Sequence, residues 1–450
     1  MGVKKRLPNR ERNHMVSGPC RNAQLNVRTH GGTLAAGGFV PHSIDFKDIE
    51  AARSTGASVV LTTPTLPSHS FSRMLDADIW LKAENLQRTG SFKIRGAMNA
   101  LTLLNEEQRD QGVVAASAGN HAQGVALAAA ELGVSATVFM PEGAAIPKVE
   151  ATKAYGAEVI FAGRNLAEAT DSAIEFSASS GSTLIHPYDD PRIVAGQGTL
   201  GIELAEQVPD VETVLIPIGG GGLISGSALA LKHLNPSVRI VGVQSSAVPT
   251  YLEARKSGMP KEITPLPTVA DGIAVSRPSD MCFEMIESFV DDIVTVTDQQ
   301  TTEAVALLLE RSKYLVEPSG AVTLAALLNG VVDAGGRTVA VLSGGNIDLL
   351  VLDGLVRHGL QSRGRFASFW VSVPDEPSQL AKVLESVGSL GGNVLSVDHH
   401  REGTDRDFGT VKIHITVETR STEHIKEILQ GLSDYVVSET QPGRANVSPS

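Results

Sequence analysis

The feature that most limits the fold is a repeated alternation of short apolar runs with longer helical stretches. "GVVAAS" precedes "GNHAQGVALAAAELG", "SATVFMP" precedes "KVEATKAYGAE", and "VIFAG" precedes "NLAEATDSAIEFSASS". "ETVLIPIGGGGLISGSALALKHL" and "VRIVGV" repeat the rhythm, and "RTVAVLSGGN" supplies another buried strand. Strands spaced by helices are expected to pair in parallel through crossover connections. The chain from about Ile44 is therefore expected to be an α/β protein whose chemistry lies at the carboxyl ends of parallel strands.

The rhythm changes after "SRGR" at 362 to 365, which reads as a linker. "FASFWVSV" is strand-like, "PSQLAKVLESVGSL" helical, "NVLSVDHH" and "TVKIHITVE" two strands, "STEHIKEILQGL" a helix and "YVVSE" a strand. That βαββαβ order defines a ferredoxin-like module over about 366–440, and a small module after a complete α/β unit invites a regulatory reading. The opposite end is different again. Over residues 1–41, Lys4, Lys5, Arg6, Arg10, Arg12, Arg21 and Arg28 face a single acidic residue, Glu11. A disordered basic extension or a targeting signal both fit this composition.

A length of 450 residues accommodates two or three domains with full cores. The net charge of -12 argues against nucleic acid as a partner, because phosphate contacts demand a basic face. Cys20 and Cys282 give neither metal spacing nor a disulfide framework, which points to a reducing, cytoplasmic setting. No apolar run is long enough for a membrane helix.

In "GSFKIRGAMNAL" Ser91 is a natural N-cap, which places Lys93 and Arg95 in the first turn of a helix. The macrodipole is positive there, so two cations are misplaced unless the lysine amine is bound neutral or faces an anion. "IPIGGGGLISG" sets Gly219, Gly220, Gly221 and Gly222 between a strand and a helix starting near Leu223. Exposed glycine amides added to a helix N-terminus cradle a phosphate. The G-x-G-x-x-G spacing of dinucleotide sites is absent, and the next strand ends in Gln244 where a ribose-binding acid would stand. A smaller phosphorylated cofactor is the expectation. "ASAGNHAQG" opens a further strand-to-helix junction with Ser117, Ala118, Gly119, Asn120 and His121; it suits a carboxylate, although an N-cap by Asn120 is the simpler reading of that stretch alone. "VLSGGN" ends a strand with Ser343, whose neutral hydroxyl suits a ring nitrogen.

Taken together and in order, "SFKIRGA", "SAGNHAQG", "HPYDDPRIVAGQGT", "IPIGGGGLISG", "EPSGA" and "LSGGN" resemble the threonine ammonia-lyases (threonine dehydratases) of the pyridoxal phosphate-dependent β-elimination fold. The resemblance covers about residues 42–360. It implies the two-subdomain, parallel-sheet fold type II, related to tryptophan synthase β, with a small subdomain near 90–180 inserted in the large one. It further implies that Lys93 forms the Schiff base with pyridoxal 5'-phosphate and serves as the base at the α-carbon, with Phe92 beside the ring. Asn120 would reach the ring hydroxyl, residues 219–223 would hold the phosphate, and Ser343 would bond the pyridine nitrogen. Residues 117–121 would clamp the substrate carboxylate. Glu317 in "EPSGA" either lines the ring or caps a helix.

The departures narrow the reading. Serine racemases of this fold carry a second serine where this chain has Ala118, so elimination is expected over racemisation. Their acidic metal ligand falls at Gln244, so no divalent magnesium site homologous to theirs is expected, while a monovalent ion stays open. The tail resembles an ACT module, the amino-acid sensor attached to many such enzymes, with Ser378 where D-x-P-G has glycine; Asp375, Gly391, Gly392 and Asn393 form its candidate effector site. The expected activity is L-threonine to 2-oxobutanoate and ammonia, with L-serine also accepted, amino-acid regulation as in isoleucine biosynthesis, and a homo-oligomer of two or four chains. A serine or 3-hydroxyaspartate ammonia-lyase and a non-catalytic amino-acid sensor are the alternatives. His399 and His400 are expected to be exposed strand-end residues.

Overall fold

The computed structural model describes residues 44–401 and 409–439, and the basic stretch at 1–41 lies outside them. The first ten strands are β1 (Thr65–Pro67), β2 (Asp78–Ala83), β3 (Val113–Ala116), β4 (Ala136–Met140), β5 (Glu158–Phe161), β6 (Thr183–Leu184), β7 (Thr213–Pro217), β8 (Arg239–Ser245), β9 (Asp292–Val296) and β10 (Arg337–Leu342). They form two sheets, one in the order β1-β2-β10-β7-β8-β9 and one in the order β5-β4-β3-β6. Every pairing is parallel except that of the short edge strand β1 with β2. The chain thus begins the larger sheet, leaves it to build the smaller, and returns to complete it. β10 is the last of these strands in sequence, yet it lies between β2 and β7.

The central strands are buried on both faces, and β3 and β7 are buried at every residue. Helices cover both faces of such a sheet, which is why the strands read as continuous apolar runs rather than alternating ones. Long-range closeness of helices follows from small residues. A Cβ on Gly226 would collide with the Val194 carbonyl, and one on Gly196 would lie 2.6 Å from the Cα of Gly96. Glycine at these positions lets the helices Lys93–Thr102, Pro191–Gln207 and Gly222–Leu234 approach backbone to backbone.

Behind the first of these helices lies a buried ionic cluster. Arg95 donates to Glu84 at 2.7 and 2.8 Å and to Glu203 at 2.7 and 2.9 Å. Lys82 donates to Glu203 at 2.6 Å and to the Thr63 carbonyl at 2.8 Å. Burial alone would raise the Glu84 carboxyl, but the charge and hydrogen bonds of Arg95 hold it below its ordinary value. Two carboxylates thus answer two cations, and the first-turn position of Arg95 is compensated by them rather than by the helix.

The remaining strands are β11 (Phe366–Pro374), β12 (Asn393–His400), β13 (Thr410–Glu418) and β14 (Val436–Glu439). They form an antiparallel sheet in the order β12-β13-β11-β14, the ferredoxin-like arrangement, with a core that includes Phe369, Val371, Ile413 and Ile415. His399 and His400 are exposed at the end of β12. The expected linker is shorter than its sequence suggests, because the helix Leu349–Ser362 runs into "SRGR" and β11 starts at Phe366. Gly364, at φ +66°, makes the turn. Its carbonyl accepts from Thr419 Oγ1 at 2.7 Å, and Arg363 pairs with Glu310 at 3.1 Å.

Candidate active site

The two parallel sheets present their loops to one cavity of about 490 Å³. The residues expected at the site follow the carboxyl ends of strands: Lys93 after β2, residues 117–121 after β3, Pro187 and Tyr188 after β6, residues 219–223 after β7 and Ser343 after β10. This is the placement expected for ligand-binding loops in parallel sheets. Phe92, Lys93, Ser117, Ala118, Gly119, Asn120, His121, Gly219, Gly220, Gly221, Gly222, Leu223 and Ser343 all line it.

Lys93 is the first residue of its helix, and the preceding Phe92 N–H donates to the Ser343 carbonyl at 3.1 Å. A bridge between Ser91 and Gly344 adds to that stitch, so the helix start and the β10 loop are held together. The Lys93 amine donates to the Pro187 carbonyl at 2.9 Å and lies 5.1 Å from the centre of the Phe92 ring. Burial pushes the amine down to about 8, with Glu317 acting in the opposite direction. Ser91 does not cap this helix. Phe92 occupies the N-cap position, and among the described residues the buried Ser91 hydroxyl has no partner. Pairing of Ser91 with Gly344 turns it away from the orphan amides.

The glycine turn has the shape of an anion cradle. Gly221 is the N-cap of the helix Gly222–Leu234 at φ +94°, a conformation that glycine adopts without strain. A Cβ on Gly220 would collide with the Tyr188 ring, so the turn admits no side chain there without moving that ring. The Tyr251 hydroxyl donates to the Gly220 carbonyl at 2.8 Å and holds the turn from behind.

At the 117–121 junction the N-cap is Gly119, and the Asn120 side chain does not cap the helix. Asn120 instead donates to Glu317 at 2.7 Å and accepts from Asn346 at 2.7 Å. Burial pushes the His121 imidazole down to about 3, and its Nε2 lies 2.8 Å from the Ile185 carbonyl. A neutral ring tied there fastens the loop to the end of β6. With the Asn120 and His121 side chains engaged elsewhere, the junction offers the cavity Ser117, backbone amides and the helix terminus. Glu317 resolves in favour of the cavity, since it makes no side-chain cap bond and burial raises its carboxyl to about 7.

Several cavity residues carried no signal of their own. Tyr188 and the Pro187 carbonyl lie in "HPYDDPR", which stood out only as part of the motif set. Ser319, whose buried hydroxyl has no partner among the described residues, lies in "EPSGA". Lys148 and Asp271 meet at 3.6 Å and also line the cavity, but nothing in their sequence neighbourhoods pairs them. Gln244 accepts from the backbone of Tyr251 at 3.0 Å and Leu252 at 3.1 Å, so its side chain is used to start the helix Thr250–Ser257.

The fold and this cavity define a class. The chain belongs to the pyridoxal-phosphate dependent enzyme family, whose model matches residues 57–344. Within it, the chain is 43% identical to the L-threonine ammonia-lyase of Thermotoga maritima over 385 residues, 86% of this chain and 96% of that protein. Among solved structures, the processed form of threonine deaminase isoform 2 from Solanum lycopersicum matches with a TM-score of 0.67 at 32% identity, over 71% of this chain and 90% of the other. Maize serine racemase matches with a TM-score of 0.66 at 35% identity, over 71% and 99%.

The residues present fit pyridoxal phosphate. The cavity offers a lysine amine, a glycine turn at a helix N-terminus that admits no side chain at Gly220, and, among the described residues, a Ser319 hydroxyl buried without a partner. Gly220→Ala should therefore lower cofactor retention sharply while leaving the helix intact. Cofactor content after gel filtration, read by absorbance, checks this; full retention would remove the glycine turn from the cradle.

Proposed function

We propose that this chain is an L-threonine ammonia-lyase that produces 2-oxobutanoate and ammonia and also accepts L-serine. The observation that carries the reading is the Lys93 amine, which shares one cavity with the glycine turn and the 117–121 junction. Bound there, pyridoxal phosphate supplies an electron sink for the α-carbanion of an amino acid. Residues 219–223 would hold its phosphate, Ser343 would serve its ring nitrogen, Asn120 its ring oxygen, and Phe92 would pack beside it; all of these residues line the cavity. The Lys93 amine would take the α-proton of a bound amino acid; a depressed amine is suited to that work near neutral pH. Ser117 and the amides of the junction orient the substrate carboxylate, which fixes the α-hydrogen toward the base. The 43% identity to an L-threonine ammonia-lyase supports the same reading.

Ala118 favours elimination over racemisation, because a methyl group cannot deliver a proton to the opposite face of the α-carbon. The test is release of 2-oxobutanoate from L-threonine, beside pyruvate from L-serine and the product from 3-hydroxyaspartate. One methyl group is worth about 10- to 200-fold in an apolar pocket, so kcat/KM for serine should fall below that for threonine within this range. Serine or 3-hydroxyaspartate turned over faster than threonine would reassign the substrate, and no turnover of any of them in cofactor-loaded protein would favour a sensor.

The division at 42–360 and 366–440 assigns catalysis to the parallel sheets and regulation to an ACT-type module in a cytoplasmic homo-oligomer. Asp375 follows the end of β11 that pairs with Thr410, whereas Asn393 pairs with Glu418 beside Phe366, at the start of β11. Strands rise about 3.3 Å per residue, so the two halves of the candidate effector site stand at opposite ends of one sheet. Asp375 can join Gly391, Gly392 and Asn393 around one amino acid only across two chains. Isoleucine or valine inhibition, absent in a chain truncated before Phe366, would identify a biosynthetic, feedback-regulated enzyme.

A further inference from the structure

Asn120 is held from two sides, and the sense of each hydrogen bond is determined by its neighbours. Asn346 Nδ2 donates to the Thr89 carbonyl at 2.6 Å, and a carbonyl only accepts, so this atom is the amide nitrogen. The same nitrogen donates to Asn120 Oδ1 at 2.7 Å. Asn120 Nδ2 must then be the edge that meets Glu317 Oε1 at 2.7 Å. The relay runs in one direction, from Asn346 through Asn120 to Glu317. It consumes the Asn120 oxygen and one of the two amide hydrogens.

The surroundings leave room for this relay and little else. A Cβ on Gly344 would collide with Glu317 Oε1, and one on Gly90, at φ +71°, would collide with Asn346 Oδ1. Glu317 is 8% exposed, and its own backbone N–H donates to the Gly344 carbonyl at 3.0 Å, which fixes where the carboxyl group begins. Lys93, Lys148 and Asp271 are the charged groups that act on it. In either charge state a carboxyl group keeps an acceptor oxygen for Asn120.

We propose that Glu317 is a positioning residue: with Asn346, it locks the Asn120 amide so that its remaining N–H points into the cavity and donates to the ring oxygen of the cofactor. This rests on the reading that Asn120 meets that oxygen. A donor held there favours the ionised oxygen over the neutral one. Released from Glu317, the amide loses the restraint that keeps its donor edge inward.

The experiment compares the two absorption bands of the bound cofactor that report ionised and neutral ring oxygen, in holoenzyme at fixed pH. Loss of one hydrogen bond is worth about 1 kcal/mol, so Glu317→Leu should lower the ionised-to-neutral ratio by about 3- to 10-fold. Glu317→Gln retains an acceptor oxygen and should restore the ratio to within about twofold. Asn346→Ala removes the other restraint and should move the ratio in the same direction as Glu317→Leu, which keeps the test open if the leucine variant does not fold. A ratio that rises in both Glu317 variants would show direct repulsion by the carboxylate and overturn the lock, as would a ratio unchanged in Glu317→Leu and Asn346→Ala. Asn120→Ala separates the two readings. If it leaves the ratio unchanged, Asn120 does not meet the ring oxygen; if it alone lowers the ratio, only the lock fails.

Discussion

Lys93→Ala is expected to lower kcat/KM for L-threonine by at least about 10³-fold, measured as 2-oxobutanoate release, in a chain that still folds. The amine stands at the start of a helix where the macrodipole disfavours a cation, in a cavity whose burial pushes it down to about 8. Its protein contacts are the Pro187 carbonyl at 2.9 Å and the Phe92 ring. None of these fastens a core element, so removing the side chain should cost little stability. A variant that keeps the native rate would transfer the proton-handling role away from Lys93, and among the described residues Lys148 would be the other lysine lining the cavity.

The second large effect concerns stability. Glu203→Ala should destabilise the protein by about 3–5 kcal/mol, because Arg95 and Lys82 would then share the single carboxylate of Glu84 in a buried site. Glu203 accepts from Arg95 at 2.7 and 2.9 Å and from Lys82 at 2.6 Å, and the Lys82 side chain is fully buried. The exposed pair Arg53 and Glu206, at 2.6 Å, is the comparison. Its loss in Arg53→Ala should change stability by no more than about 1 kcal/mol, since exposed ions keep their water. Thermal unfolding of the two holoenzyme variants, followed by circular dichroism, measures the difference. Equal shifts would mean that water reaches the inner cluster. Arg95 lies two residues after Lys93, so the cluster also anchors the helix turn that carries the Lys93 amine.

The particular residues show where sequence reading succeeds and where it stops. The glycine turn was legible because its signal is local: consecutive glycines between a strand and a helix have few other uses. Lys93 was legible as an anomaly, a cation in a helix's first turn. Arg95 raised the same anomaly, yet its answer lies in Glu84 and in Glu203, which is 108 residues away. Ser91 and Asn120 had the residue types of N-caps, and both were drawn elsewhere, one by a bridge to Gly344 and the other by Glu317 and Asn346. Residue type states what a side chain is able to bond; it does not state which partner arrives first. Asp375 and Asn393 were grouped by the resemblance to ACT modules; the helix Gln379–Ser389 between them sets them at opposite ends of one sheet, so the grouping requires two chains.

From the sequence alone came the alternation of strands and helices, the change to a βαββαβ module, and the chemistry available at each loop, because periodicity and turn composition are properties of neighbouring residues. The tertiary structure decided that Lys93, Asn120, Gly220, Glu317 and Ser343 meet around one cavity. That meeting depends on strand order, above all on β10 entering between β2 and β7, and on burial, which assigns each polar group its partner and each ionisable group its charge.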